Sequence, residues 1–197
     1  MKMLAIYPII DLAGDRSADA AFVDRVLRIL RPDFLQLRMK EGSDAAIVAN
    51  ALLIRDRIRF LNAGTRLVIN DRPDIAVRCG APVVHVGDTD ISPVEVRRRY
   101  PDLQIGLSTH SLDDIVLANR YDLAYIGFGP VFKTATKPTS RPTVFALAAE
   151  ALSLSRHPVV FIGGITPDTI GDLPIREKAQ AALIGSLADL LDRRAHD

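Results

Sequence analysis

Thr134, Thr136 and Lys137 stand within four residues of one another, just past Gly127, Gly129 and Pro130. Hydroxyls donate neutral hydrogen bonds, an ammonium supplies a compact charge, and glycines admit backbone N–H groups close to a ligand. Together they suit a phosphate or diphosphate, although a strand followed by a polar surface loop has the same composition, and one such loop says less than a complete P-loop pattern. Polar residues recur in the same relation to other apolar runs. Gln36, Arg38 and Lys40 close the run 34–37, and Asn70 with Asp71 closes 66–69. Asp90 follows Val83–Val86, Ser108 follows 104–107, Gly164 follows 157–162, and Ile184, Gly185 and Ser186 close 181–184.

Arg38, Lys40 and Lys137 are cations in this set, and Asp71 and Asp90 are carboxylates. Carboxylates repel a phosphate unless a cation lies between them. Mg2+ takes carboxylate, water and phosphate oxygens, so Asp71 and Asp90 are expected as its ligands. Either acid alone reads equally as a surface residue or helix cap. Zinc has no helical His pair or His/Cys cluster to hold it, and His85 reads as a packed strand residue. Cys79 is the only cysteine, which excludes an internal disulfide framework, and it lies beside no identifiable base.

Elements that would position these residues follow from periodicity. Apolar runs at 4–10, 34–37, 66–69, 83–86, 104–107, 123–128, 157–162 and 181–184 read as buried strands. Helical spacing over 18–30, 45–61 and 112–120, a turn over 73–78, a helix opened by Ser92 and Pro93, and helices over 144–154, after Pro167 and up to Arg194 fill the intervals. Eight strands alternating with eight helical segments predict a single (β/α)8 TIM barrel over residues 1–197, with its site at the C-terminal ends of the strands. A doubly wound open sheet is the alternative, and residues 11–15 lack the Gly-rich fingerprint that it would show after its first strand.

The 197 residues are 48% hydrophobic and 25% charged, enough for one sizeable core. A net charge of +1 gives no argument for a nucleic-acid surface or a membrane-hugging face, so any anion preference is local. No apolar run approaches the roughly 20 residues that span a bilayer. MKMLAIYPII reads as a first strand rather than a leader, and cytoplasmic location is the expectation.

Six segments together resemble the thiamine phosphate synthase family: QLRMK (36–40), IND (69–71), HVGDTD (85–90), GLSTHS (106–111), GFGPVFKTATK (127–137) and IGGIT (162–166). The resemblance runs over nearly the whole chain and implies the same (β/α)8 barrel. It implies a transferase of thiamine biosynthesis that joins hydroxymethylpyrimidine diphosphate to thiazole phosphate with Mg2+ assistance. Both substrates are small molecules, and a homo-oligomer is left open. Carried over by motif, Gln36, Arg38, Lys40 and Asn70 contact the pyrimidine diphosphate, Asp71 and Asp90 hold the metal, and Ser108 and Lys137 hold the departing diphosphate. Thr134, Thr136, Gly164 and the turn Ile184, Gly185, Ser186 take the thiazole phosphate, and Arg38, Ser108 and Lys137 are the expected catalytic residues. The implied mechanism is dissociative and needs no protein nucleophile.

The chain departs from the family pattern at several places. Met39 replaces a usual Glu and Asp88 a usual Gln, which predicts an altered pocket beside the metal. PTSRPTVF lacks a usual Gly, Gly185 falls where a Ser is common, and EKAQAAL replaces the usual lead-in to the last strand. A thiazole tautomerase on the same barrel is the rival enzyme, but Pro130 stands in the segment where that relative carries its His. A non-catalytic phosphate-binding barrel is the rival of a different class.

Overall fold

The computed structural model describes residues 5–133, 144–174 and 179–195. Eight parallel strands close a barrel in sequence order: β1 (Ile6–Asp11), β2 (Phe34–Arg38), β3 (Arg66–Asn70), β4 (Val83–Val86), β5 (Gln104–Thr109), β6 (Tyr125–Phe128), β7 (Val159–Phe161) and β8 (Ala179–Leu183). Closure is made by β8 against β1, with Tyr7 opposite Ala182.

Alternation along each strand sorts the side chains into two layers. Leu35, Leu37, Leu67, Ile69, Val84, Val86, Ile126 and Phe128 face the helices and join the main core. Tyr7, Ile9, Phe34, Val68, Val83, Tyr125, Val160 and Ala182 form a second cluster, the barrel interior. Both faces are apolar, which is why the strands read as continuous hydrophobic runs.

Helices α1 (Ala20–Leu30) and α2 (Asp44–Phe60) pack on the outside through stripes at three- and four-residue spacing. The stripe of α1 is Val23, Val26, Leu27 and Leu30, and that of α2 includes Ile47, Ala51, Ile54 and Ile58. Fully burying an Ile such as Ile54 contributes about 1.5–3 kcal/mol. Side-chain oxygens start several helices: Asp19 accepts from Ala21 N–H for α1, and Ser43 accepts from Ala46 N–H for α2. Ser92 does the same for α4 (Pro93–Arg99), and Ser111 for α5 (Leu112–Ala118). α3 (Pro73–Cys79) stops at Gly80, whose φ of 68° is the left-handed conformation that ends helices.

The outer ring is less regular after β6 and β7. A 3-10 turn, Phe145–Leu147, leads into α6 (Ala148–Leu154). The helix expected after Pro167 is only a 3-10 turn, Ile170–Asp172, because Gly171 and Pro174 leave no room for an α-helical run. The last helix, α7 (Leu187–Arg194), follows β8.

Candidate active site

Inward-facing positions change character along the barrel axis. On β2 the inward series is Phe34, Gln36, Arg38, and on β4 it is Val83, His85, so the interior is apolar below and polar toward the C-terminal strand ends. A cavity of about 690 Å3 opens there, of the size expected for a small-molecule site. Its lining includes Gln36, Arg38, Lys40, Asn70, Asp71, Asp90, Ser108, Gly164, Ile184, Gly185 and Ser186, which the barrel brings together from six strand ends. Thr134, Thr136 and Lys137 lie outside the described residues.

One side of the mouth is densely charged. Arg38 Nη1 donates to both Asp11 oxygens at 2.6 and 2.7 Å, and Lys40 Nζ lies 3.0 Å from Asp71 Oδ2. Asp71 adopts a φ of 62°, unusual for a side-chain-bearing residue, and its N–H donates to the His85 carbonyl at 2.8 Å. That turn aims the Asp71 carboxylate toward Asp90, which is fixed by accepting from Gly87 N–H at 2.8 Å. Burial pushes the Asp90 carboxyl above its ordinary value, the Gly87 N–H opposes this, and neighbouring Asp71 adds to the rise. Two carboxylates that disfavour each other's charge suit a hard divalent cation. Among the described residues no group of three or more His, Cys, Asp or Glu side chains converges, and Mg2+ needs only one or two carboxylates when substrate oxygens and water complete its shell.

The opposite side is built from backbone. Gly163 and Gly164 have φ of 100° and 64°, and a Cβ on Gly164 would lie 2.2 Å from the Lys133 carbonyl oxygen. Only glycine lets these two loops approach so closely. Ser186 Oγ donates to the Ile165 carbonyl at 2.8 Å, tying the loop after β8 to the loop after β7. No side chain caps α7 at Ser186; Leu187 N–H donates to the Ile184 carbonyl at 3.2 Å, which leaves the N–H groups of Ala188 and Asp189 for a ligand.

Met39 does not alter the pocket beside the acids. It is 7% exposed, packs in the outer core, and its sulfur meets Asn50 Nδ2 at 3.5 Å. Alternation accounts for this: Arg38 points inward, so its successor points to the helices. Asp88 does line the cavity.

Two further residues of the site carry no motif that marks them in advance. Tyr7 and Tyr125, each 1% exposed, share a 2.6 Å hydrogen bond between their hydroxyls across the barrel. Gln36 Nε2 donates to the Tyr7 hydroxyl at 3.1 Å, His85 Nδ1 lies 3.0 Å from the Tyr125 hydroxyl, and His85 Nε2 lies 2.9 Å from Ser108 Oγ. Gly106 makes the arrangement possible, since a Cβ there would lie 2.2 Å from the Tyr125 ring. His85 is thus a packed strand residue and also a member of a polar chain. The available signal is parity: Tyr7 and Tyr125 fall on inward positions of buried strands, and a buried hydroxyl needs a partner. His110 also lines the cavity, with Nδ1 donating to the Gly129 carbonyl at 2.6 Å. Cys79, the last residue of α3, is fully buried in the outer core, and burial pushes its thiol up, which keeps it inert.

The family model described as thiamine monophosphate synthase matches residues 6–187. A thiamine-phosphate synthase of Synechococcus sp. (strain CC9605) is 38% identical over 168 residues, 83% of this chain and 47% of that protein. The thiamine-phosphate synthase of Clostridioides difficile (strain 630) is 34% identical over 154 residues, 78% of this chain and 72% of that protein. The chain therefore spans about half the length of the Synechococcus relative and of a similar one from Parasynechococcus marenigrum. Among solved structures, thiamine phosphate pyrophosphorylase from Pyrococcus furiosus is similar with a TM-score of 0.74 at 22% identity, covering 96% of both chains. A 3-hexulose-6-phosphate synthase is similar with a TM-score of 0.65 at 13% identity, covering 98% of this chain and 95% of that one. At those identities the likeness is one of fold.

Proposed function

This chain belongs to the thiamine monophosphate synthase family, and from that premise we propose that it is a transferase joining hydroxymethylpyrimidine diphosphate to thiazole phosphate, with release of pyrophosphate. The observation that carries this reading is the two-ended cavity. Arg38, Lys40, Asp71 and Asp90 crowd one end, while Gly164 and the uncapped start of α7 form the other. A diphosphate suits the first and a single phosphate the second, with Tyr7, Ile9, Val160 and Ala182 supplying an apolar floor between them.

Asp71 and Asp90 would hold Mg2+, which when bound supplies charge neutralisation at the departing diphosphate. Arg38 and Lys40 carry the remaining positive charge to that end, and Ser108 offers a hydroxyl beside it. Lys137, Thr134 and Thr136 are proposed to join them, on the strength of their motif. No nucleophilic side chain is required, because loss of diphosphate leaves a pyrimidine methylene cation that the thiazole nitrogen captures. The floor keeps water from that cation, and the fixed donors stabilise the anion as it forms. Gln36 and Asn70, which line the cavity, are proposed to hold the pyrimidine.

A tautomerase reading gains nothing from Pro130, which lines the cavity where an acid or base would be needed. The test is turnover of each substrate alone and of both together. A synthase consumes the thiazole phosphate only when the pyrimidine diphosphate is present. Conversion of a thiazole carboxylate phosphate without the pyrimidine would favour the tautomerase, and binding without conversion of either would favour a non-catalytic barrel.

A further inference from the structure

Ser108 lies at one end of a hydrogen-bond chain that crosses the barrel: Gln36 to Tyr7 at 3.1 Å, Tyr7 to Tyr125 at 2.6 Å, Tyr125 to His85 at 3.0 Å, His85 to Ser108 at 2.9 Å. The chain has two possible senses, because a neutral imidazole carries one proton. Both phenols keep theirs, since burial raises Tyr7 and Tyr125 well above their ordinary values.

In one sense Gln36 donates to Tyr7, Tyr7 to Tyr125, and Tyr125 to His85 Nδ1. His85 then carries its proton on Nε2 and donates to Ser108 Oγ. Every donor has an acceptor, and the Ser108 proton is left to point into the cavity. In the other sense His85 Nδ1–H donates to Tyr125 and Tyr125 donates to Tyr7. The Tyr7 oxygen then accepts from Tyr125 and Gln36 together, and its own proton has no acceptor among the described residues. A buried donor without an acceptor is the expensive case. The first sense is therefore selected by the Gln36 amide, at the far end from Ser108.

We propose that Gln36, Tyr7, Tyr125 and His85 form a positioning relay that holds His85 as its Nε2–H tautomer and so makes Ser108 a hydrogen-bond donor to the anion. In the reverse sense Ser108 would donate to His85 and present only lone pairs, which repel a diphosphate. The geometry around Ser108 agrees with this use: a Cβ on Gly87 would lie 3.2 Å from Asp90 Oδ2 and 4.0 Å from Ser108 Oγ, so the hydroxyl sits beside the acidic end of the mouth. The relay also links the expected pyrimidine contact, Gln36, to the expected diphosphate contact, Ser108, and in that respect it rests on the functional reading above.

The relay is tested by a double-mutant cycle with a spectroscopic arm. Tyr125→Phe keeps the ring and removes the donor to Nδ1. It is expected to lower kcat by about tenfold in the wild-type background and by less than about twofold when Ser108 is already Ala, with KM for the thiazole phosphate unchanged. Equal losses in both backgrounds would mean that Tyr125 acts only by packing, and would overturn the relay. Correlation of the His85 ring nitrogens with their protons, assigned by comparison with His85→Gln, should show the Nε2–H tautomer in the wild type and a mixture in Tyr125→Phe. An Nδ1–H tautomer in the wild type would overturn the proposal whatever the kinetics. If the wild type turns over neither substrate, the functional reading falls, and the tautomer arm still decides the relay.

Discussion

The Lys40 ammonium stands 3.0 Å from Asp71 Oδ2, joining the basic end of β2 to the acidic turn after β3. In the proposed synthase Lys40 would therefore compete with a divalent cation for Asp71 while helping to attract a diphosphate. Lys40→Met is expected to raise KM for the pyrimidine diphosphate about tenfold, the loss of one charge-assisted contact. It should also lower the Mg2+ concentration needed for half-maximal rate. Steady-state kinetics over a Mg2+ series reads both, and a raised Mg2+ requirement would show that Lys40 assists the cation site.

Asp71 and Asp90 are expected to be indispensable for turnover but not for the fold. Asp90→Ala should reduce kcat by at least about a hundredfold, since removal of one charge-stabilising group at a reacting centre costs that order. Asp71 permits a sharper separation because of its φ of 62°. Asp71→Gly removes the carboxylate and relieves the backbone, so thermal unfolding should show a protein at least as stable as the wild type, while Asp71→Ala keeps the strain. Activity surviving in Asp71→Gly would remove that carboxylate from the metal site.

Gly164→Ala should fail for two reasons at once, a φ of 64° and a Cβ placed 2.2 Å from the Lys133 oxygen. Backbone strain of this kind costs about 1–3 kcal/mol, a fall in Tm of several degrees for a domain of this size. Lys133 directly precedes Thr134 in sequence, and Thr134 and Thr136 are proposed thiazole phosphate contacts, so KM for the thiazole phosphate should rise more than KM for the pyrimidine. An unchanged Tm would mean that the two loops separate at little cost.

Ser186 has a structural commitment that its motif does not show. Its hydroxyl donates to the Ile165 carbonyl, so that proton is already used when a phosphate arrives. Ser186→Ala is accordingly expected to lower stability by about 1 kcal/mol and to raise KM for the thiazole phosphate by less than about threefold. A rise of tenfold or more would show that the hydroxyl turns from Ile165 to the phosphate on binding.

The fold was legible because buried parallel strands and their capped helices leave strong local signals. Ser92 and Pro93 open a helix, and apolar runs such as 66–69 stop at polar strand ends. The gathering of Arg38, Lys40, Asp71 and Asp90 at one mouth followed from topology once the barrel was recognised. What stayed hidden depends on contacts distant in sequence. Tyr7 and Tyr125 are 118 residues apart, and neither lies in a motif that names its partner. Met39 was misplaced because its neighbours in QLRMK line the cavity, although strand parity alone turns it outward. The short turn after β7 lacks α-helix for a local reason, the spacing of Gly171 and Pro174, that apolar periodicity does not capture.

The most direct measurement is of products. Purified protein given hydroxymethylpyrimidine diphosphate, thiazole phosphate and Mg2+ should form thiamine phosphate and pyrophosphate in equal amounts, and a chelator or Asp90→Ala should abolish both. Pyrophosphate release without thiamine phosphate, or neither product at any Mg2+ concentration, would contradict the assignment of this barrel as a synthase.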